Sequence, residues 1–291
     1  MTKQIFVTCL LLAIFQNLYA QEFQKDAFND RRVINSQSVE MLKKGKMDFR
    51  TYHRFGDLLG TSGGWQSFYG LENAADIGIG FDYGLNDHIN FGIMRAKGAG
   101  ELRQLVNGYF KARLMRQQVQ GNNPLSITFV ANSTISTMPK STNANVLSSF
   151  PNFSNRFAYH VQIMFARRFN QRLSLQASLN YTYRDLVYTY DQNDIPSIGL
   201  AGRIQLTKAT ALIFDGAFPV LVSDRELPLQ YQFPLGVGFE FETGGGHVFQ
   251  INLTNARGLT ETDYIPNTSS NWQDGEFRLG FTIGRQFTVH R

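Results

Sequence analysis

From residue 47 onward, apolar and polar side chains alternate along the chain in segments of about ten residues. In the clearest segment, residues 173–184, one set of alternate positions is apolar or aromatic and the other set is polar or charged. Successive side chains of a β-strand point to opposite faces, so each such strand has one apolar and one polar face. No helical period competes with this pattern, which predicts an all-β structure.

Applied to the whole chain, this pattern predicts about twelve strands. They fall near residues 47–55, 74–83, 88–96, 102–116, 125–136, 157–169, 173–184, 196–206, 209–218, 231–243, 247–255 and 276–287. Pro234 lacks the N–H that a central strand needs, so the tenth strand is expected to begin at Leu235 or to carry a bulge.

The connections between these strands alternate in length. Short ones such as 84–87 and 170–172 are followed by long ones such as 137–156 and 256–275. An even number of strands with short turns at one end and long loops at the other is typical of outer-membrane barrels. The chain is therefore predicted to form an antiparallel transmembrane β-barrel of about twelve strands over residues 47–291.

A soluble barrel or sandwich shows the same alternation, with its apolar face turned inward. Twelve strands of Phe, Tyr, Leu and Ile would then have to fill a barrel wider than one of eight strands, whose interior is already full. Lysine is also scarce after Met47, where only four occur, although exposed strands usually carry it. Both observations favour the orientation in which apolar side chains face lipid and polar ones face the lumen.

The first 20 residues have the pattern of a signal peptide. Lys3 precedes an apolar run from Ile5 to Phe15, and Ala20 stands before a plausible cleavage point. The single cysteine, Cys9, lies inside this run, which excludes a disulfide framework. We expect export to the bacterial outer membrane.

Residues 21–46 precede the first predicted strand and follow neither pattern. They are expected either to hang in the periplasm or to enter the lumen as a plug. In either place we expect this segment to be disordered or only loosely docked, because chain termini are usually poorly ordered unless other contacts fix them.

Two stretches of sequence resemble a known family. His53-Arg54-Phe55-Gly56 is followed by Ala75-Asp76-Ile77-Gly78-Ile79-Gly80-Phe81-Asp82-Tyr83-Gly84-Leu85, and Gly244 to Gln250 by Thr254 to Glu261. These segments are similar to a bacterial family of outer-membrane β-barrel proteins of unknown function. The resemblance covers nearly the whole chain after the signal peptide and implies a barrel. It implies no activity and no catalytic residues.

The parity of the strands places a set of charged residues on the lumen face. They are Arg50, Arg54, Asp76, Asp82, Lys111, Arg113, Arg184, Arg203, Glu240, Glu242 and Arg278. In the first two strands, Arg54 is expected beside Asp76 and Arg50 beside Asp82. Such charges either brace the wall by pairing across strands or form a ring that binds polar solutes.

The function predicted from these features is passage or binding of small polar solutes through the lumen. The alternative is a closed barrel that serves adhesion or partner docking through its long loops. An enzyme is not expected, because no histidine stands two residues from a serine on one strand face.

We predict no cofactor, no metal, no nucleic-acid partner and a monomer in contact with outer-membrane lipid. The net charge after the signal peptide is only +4, from 27 basic and 23 acidic residues, which is too small to indicate a nucleic-acid partner.

Overall fold

The computed structural model describes residues 22–73, 76–220 and 231–289. The predicted signal peptide, residues 1–20, lies outside these ranges. Two short strands, β1 (Arg32–Val33) and β2 (Ser36–Gln37), form a small hairpin that precedes the barrel. The next twelve strands close into one antiparallel barrel, in which each strand pairs with its neighbours in sequence and the last pairs with the first. The predicted twelve-stranded barrel is confirmed.

The bounds of the barrel strands follow. They are β3 (Lys46–Arg54), β4 (Asp76–Asn86), β5 (Ile89–Ala96), β6 (Leu105–Met115), β7 (Ser126–Ser136), β8 (Phe157–Arg168), β9 (Leu173–Arg184), β10 (Asp194–Gln205), β11 (Thr210–Pro219), β12 (Leu235–Glu242), β13 (His247–Thr254) and β14 (Arg278–Thr288). Strand β12 begins directly after Pro234, one of the two expected outcomes. Strand β6 begins three residues later than predicted, so the connection before it is longer than the sequence pattern indicated.

Burial alternates along the strands with the predicted parity. In β9, for example, Leu175 and Leu179 are exposed, whereas Gln176 and Ser178 between them are buried. The outer surface of the barrel is therefore apolar and its interior is polar, the reverse of a soluble β-protein. This arrangement is stable only where the outer surface meets hydrocarbon.

The connections alternate as expected. Short turns such as 169–172 and 243–246 lie at the end of the barrel that holds both ends of the wall, Lys46 and Thr288. Long loops such as 137–156 and 255–277 lie at the other end. We refer to these as the short-turn end and the long-loop end, which in an outer-membrane barrel face the periplasm and the exterior.

Residues 27–42, called here the interior segment, run inside the barrel. Most of their side chains are buried, including those of Phe28, Arg32, Asn35 and Val39. Their contacts reach the wall from β3 round to β13, so the expectation of a loosely docked segment is wrong for these residues. Contacts with both polar and apolar side chains of the wall hold residues 27–42 in one position.

The loop between β13 and β14 also enters the barrel. It carries one α-helix, α1 (Glu261–Asn267), six of whose seven residues are buried. Among the residues that the structure describes, three 3-10 turns lie in other long loops, at Trp65–Ser67, Leu147–Ser149 and Phe153–Arg156. None of the helices in the described ranges is long and apolar enough to cross a membrane.

Candidate functional site in the barrel interior

An ion network joins the interior segment to strand β3 near the short-turn end. The Arg50 guanidinium donates to Asp30 Oδ2 at 2.5 Å and, through Nε, to Asp48 Oδ2 at 3.2 Å. Arg31 of the interior segment forms an ion pair with Asp48 and a second one, at 3.4 Å, with Asp82 of β4. Arg50, Arg31, Asp30 and Asp48 are each no more than 3% exposed. The interior segment thus supplies the counter-charges for this part of the wall.

The expected pairing of Arg50 with Asp82 is wrong. Arg50 lies opposite Gly80 in the strand register, and Asp82 lies opposite Asp48. Two carboxylates directly opposite each other repel, and Arg31 relieves this repulsion by binding both. Arg50 and Asp82 therefore each pair with a residue of the interior segment and not with one another across the strands.

Arg54 holds a second junction nearer the long-loop end. It lies opposite Asp76 in the register, as predicted, but its guanidinium donates elsewhere. Nη1 donates to the carbonyl oxygens of Ala256, at 3.0 Å, and Gly258, and Nη2 donates to Asn35 Oδ1 at 2.5 Å. One wall residue therefore ties the interior segment to the loop that carries α1.

Asp215 of β11 binds the turn of the interior hairpin. Its carboxylate accepts hydrogen bonds from the backbone N–H groups of Asn35, at 2.7 Å, and Ser36, at 2.8 Å, and from Asn35 Nδ2 at 2.9 Å. A buried carboxylate that receives three hydrogen bonds fixes the backbone of the turn in one position.

Four other predicted lumen residues take part in ion pairs or hydrogen bonds. Arg113 Nη2 lies 3.7 Å from Glu40 Oε2 of the interior segment, and Glu242 accepts a hydrogen bond from Asn29 Nδ2 at 3.0 Å. Arg203 and Glu240 form an ion pair at 2.8 Å between wall strands, across β11. This last pair matches the wall-bracing interpretation of the sequence pattern.

Of the three remaining predicted residues, Arg184 and Arg278 lie at the long-loop end, whereas Lys111 lies within electrostatic reach of Arg31 and Glu40 of the interior segment. Arg184 forms an ion pair with Asp191 of the following loop at 2.7 Å, so it belongs to the long-loop end. Arg278 donates to the Asn255 carbonyl oxygen at 3.2 Å. Lys111 is fully buried, and its Nζ has no hydrogen-bond partner within the described residues.

The interior segment and helix α1 meet inside the barrel. Arg32 Nη1 lies 3.2 Å from Glu261 Oε1, and the pair is almost completely buried. The other oxygen of Glu261 accepts a hydrogen bond from Asn132 Nδ2 of β7 at 3.2 Å. Thr262 and Thr134 share a hydrogen bond of 2.8 Å. Segments that enter from opposite ends of the barrel are therefore joined to each other and to the wall.

An apolar patch on the inner wall complements these polar contacts. Its wall members Val130, Met164, Ala166, Ala201 and Ile213 are all buried inside the barrel. They form one buried cluster with apolar residues of the interior segment, namely Ala27, Phe28, Val33, Ile34 and Val39. Burying a side chain of this kind stabilises by about 1.5–3 kcal/mol, so the patch contributes strongly to docking.

The pKa values of two buried carboxyl groups of the interior segment are shifted in opposite directions. Burial alone would raise the pKa of Asp30, but the guanidinium groups of Arg50 and Arg31 hold it below its usual range. Burial and the nearby Asp26 raise the pKa of Glu40 to about 7, against the opposing effect of Arg113. Glu40 accepts backbone hydrogen bonds from Ala27 and Phe28, which places this titratable group within the docked segment.

Little space remains between the wall and the two segments inside it. One cavity of about 60 Å³ lies beside Thr134, Arg184 and Thr262, and one of about 10 Å³ lies beside His160 and Tyr264. Both are far smaller than the roughly 300–1,000 Å³ of cavities that hold small organic molecules, so neither holds a hydrated solute. Within the described residues, no group of three or more His, Cys, Asp or Glu side chains is arranged to hold a metal ion.

Several residues of this interior were not predicted as site residues. Asp30, Arg31, Arg32 and Asn35 lie in the N-terminal segment, and Glu261 lies in a loop, so strand parity does not apply to them. The apolar side chains Val130, Met164 and Ile213 were a usable signal, because each interrupts an otherwise polar lumen face. Such a patch indicates that something apolar covers it.

The fold and its polar interior define a membrane-bound β-barrel of the outer-membrane type. Residues 28–287 match the family model described as "Membrane bound beta barrel domain (DUF5777)", and the chain belongs to this family. The family resemblance predicted from the sequence and the outer-membrane localisation are confirmed. The matched range begins inside the interior segment, so that segment is part of the family domain.

Among solved structures, the chain is similar to several outer-membrane channels. The COG4313 outer membrane channel from Pseudomonas putida F1 has 13% identity and a TM-score of 0.49, over 87% of this chain and 100% of that one. The NanC porin has 7% identity and a TM-score of 0.48, over 82% and 97%. The KdgM porin has 8% identity and a TM-score of 0.46, over 84% and 99%. Among curated proteins, none matches this chain.

Proposed function

We propose that this protein is a non-enzymatic barrel that passes small polar solutes across the outer membrane, and that the interior segment is its plug. In this state the lumen is closed, and passage requires the interior segment to leave the wall. The interior segment enters from the short-turn end, so its release opens the lumen toward the periplasm.

The observation that carries the proposal is the pairing of wall charges with the interior segment. Arg50, Asp48 and Asp82 bind Asp30 and Arg31, which can leave together with the segment. A wall built only for permanent closure would pair its charges across strands, as Arg203 and Glu240 do.

Release of the interior segment also uncovers groups that suit a polar solute. A row of charged and amide side chains of both signs then lines the lumen, and water or solute can satisfy them. Lys111 Nζ, which has no protein partner within the described residues, is one such donor. Because the wall carries both positive and negative side chains, we expect it to select polar solutes without a strong preference for anions or cations.

Planar bilayers test the proposal directly. The full chain without its signal peptide should be closed most of the time, whereas a variant lacking residues 22–45 should show discrete openings. A variant lacking only residues 22–25 is the matched control, because it keeps every buried contact of the interior segment and should remain closed. Silence of the variant lacking 22–45 would overturn the proposal.

A reversible crosslink gives a second test in the intact chain. An ideal Cβ at Gly236 lies 2.8 Å from Ile34 Cγ2, which places cysteines at the two positions within the range of a disulfide. The only natural cysteine, Cys9, is in the signal peptide, so the pair Ile34→Cys and Gly236→Cys would be unique. Oxidation should abolish openings and reduction should restore them; equal activity in both states would contradict release.

The second candidate is a permanently closed barrel whose loops dock a partner. The apolar patch around Met164 and Ile213 favours it, because this patch would be wetted when the interior segment leaves. Trp65, 74% exposed beside Phe68 and Tyr69, supplies an aromatic surface at the long-loop end. The bilayer experiment separates the candidates, since a docking barrel stays silent in every variant.

A further inference from the structure

A polar cavity of about 370 Å³ lies at the long-loop end, outside the closed interior. Its walls come from the loop between β3 and β4 and from the loop that carries α1. Hydroxyl groups of Thr61, Ser62, Ser269 and Ser270 line it together with the guanidinium groups of Arg257 and Arg278. Cavities of this size accept small organic molecules.

The walls of this cavity are held in place before any ligand arrives. The backbone N–H of Leu58 donates to the Phe277 carbonyl oxygen at 2.8 Å, which joins the two loops. Asn255 Nδ2 donates to the Ser270 carbonyl oxygen at 2.9 Å, and Arg278 donates to Ser270 Oγ at 3.3 Å. A preformed cavity loses little conformational entropy on binding, which favours recognition of a small solute.

The charged groups of the cavity differ in how many hydrogen bonds and ion pairs they already form within the protein. Asp57 accepts the Gly60 N–H at 3.2 Å, and Glu276 accepts the Asn271 N–H at 2.9 Å, so each carboxylate keeps one oxygen for a further donor. The exposed Arg257 guanidinium forms no hydrogen bond and no ion pair within 4.0 Å among the described residues, and its electrostatic neighbour is the carboxylate of Asp76. Arg257 is therefore the cavity group with the largest unused capacity to donate.

We propose that this cavity binds a small solute that carries a carboxylate and several hydroxyl groups. The carboxylate lies against Arg257, because a guanidinium donates two parallel hydrogen bonds to a carboxylate. The solute hydroxyls exchange hydrogen bonds with the serine and threonine side chains and donate to Asp57 and Glu276. This assignment rests on the proposed function and names the class of solute that would enter the barrel.

The position of Arg257 connects the cavity with the closed interior. The carbonyl groups on both sides of it, those of Ala256 and Gly258, accept hydrogen bonds from Arg54. Arg54 also binds Asn35 of the interior segment. A solute bound to Arg257 is thus connected to Asn35 of the interior segment through the flanking backbone carbonyl groups and Arg54.

Direct binding tests the proposal without a membrane. The purified full chain, without its signal peptide and in detergent, is titrated with D-glucuronate and with D-glucose, which differ only in the carboxylate at C6. The two tryptophans of the chain, Trp65 and Trp272, lie in the two loops that form the cavity, so their fluorescence reports on it. Calorimetry provides a second readout. Glucuronate should bind saturably and at least tenfold more tightly than glucose.

The diagnostic variant is Arg257→Gln, which removes a charge from an exposed side chain and should leave the circular-dichroism spectrum unchanged. It should weaken glucuronate binding about tenfold and leave glucose binding unchanged. Arg103→Gln is the matched control, since Arg103 is an exposed arginine at the same end of the barrel but outside the cavity. It should bind glucuronate like the natural chain.

Three results would overturn the assignment: equal binding of the two sugars, no saturable binding of either, or unchanged glucuronate binding in Arg257→Gln. Each concerns binding in detergent and leaves the bilayer test of the plug unaffected. Conversely, a barrel that stays silent in bilayers while it binds glucuronate would overturn solute passage and not this site.

Discussion

Arg32 and Glu261 meet inside the barrel at 3.2 Å, although one belongs to the segment that enters from the short-turn end and the other to the loop that enters from the long-loop end. The Arg32 side chain is 6% exposed and that of Glu261 is 1% exposed. No wall strand contributes either residue, so the pair joins two insertions rather than bracing the barrel. Closure of the lumen therefore depends on both insertions at once.

Arg32→Ala should loosen the interior segment. Removing one partner of a buried ion pair typically costs about 3–5 kcal/mol, because the other charge remains buried and unpaired. Hydrogen exchange measured by mass spectrometry should show lost protection over residues 28–40 while the barrel strands stay protected. Arg116→Ala is the control, since its pair with Asp26 is exposed and such pairs contribute about 0–1 kcal/mol. Equal loss of protection in both variants would contradict a special role for Arg32.

A double-mutant cycle should place the partner of Arg50 in the interior segment. Arg50→Ala and Asp30→Ala should each destabilise the docked segment, and the double variant should cost clearly less than the sum, because one interaction is lost in both. The cycle of Arg50→Ala with Asp82→Ala should be closer to additive, since these two residues do not pair directly. Urea titration of segment release measures both cycles. If Arg50 were coupled more strongly to Asp82 than to Asp30, the cross-strand pairing expected from the sequence would be correct.

The comparison of these two pairs shows what strand parity can and cannot predict. Parity correctly placed Arg50, Asp82 and Arg54 on the polar face, because a strand has only two faces. It could not predict their partners, because strand pairing relates only residues of neighbouring strands. The partners belong to the interior segment, which packs against the inner face of the sheet. Asp30 and Arg31 lie in a segment without a strand pattern, so only the unexplained apolar residues on the lumen face, such as Met164, pointed to them.

Docking of the interior segment should depend on pH through Glu40. The pKa of Glu40 is about 7 when the segment is docked and near 4.5 when it is free, so the docked form binds the proton more tightly. The stabilisation is complete below pH 4.5 and is lost as the pH rises through about 7; it is on the order of 3 kcal/mol. Docking should therefore be tighter at pH 5 than at pH 8.

A dye attached to Lys25→Cys reports this effect, because residue 25 is exposed and adjoins the buried part of the segment. The urea midpoint for the loss of dye anisotropy should be higher at pH 5 than at pH 8 in the natural sequence. Glu40→Gln keeps an acceptor for the backbone groups of Ala27 and Phe28 but does not titrate. It should remove most of the pH dependence; an undiminished dependence would assign it to another group.

The outward orientation of the apolar face is the property on which the barrel depends, and two matched substitutions test it. Leu179 lies in the middle of β9 and is 58% exposed, and Leu206 follows the end of β10 and is 53% exposed. In a lipid-facing wall, Leu179→Arg should cost about 2–4 kcal/mol, because it places a charge near the bilayer midplane, whereas Leu206→Arg at the interface should cost about 0–1 kcal/mol. Unfolding by guanidinium in lipid vesicles measures both costs. In water both positions are similarly exposed, so equal and small costs would mean that the apolar face does not meet lipid.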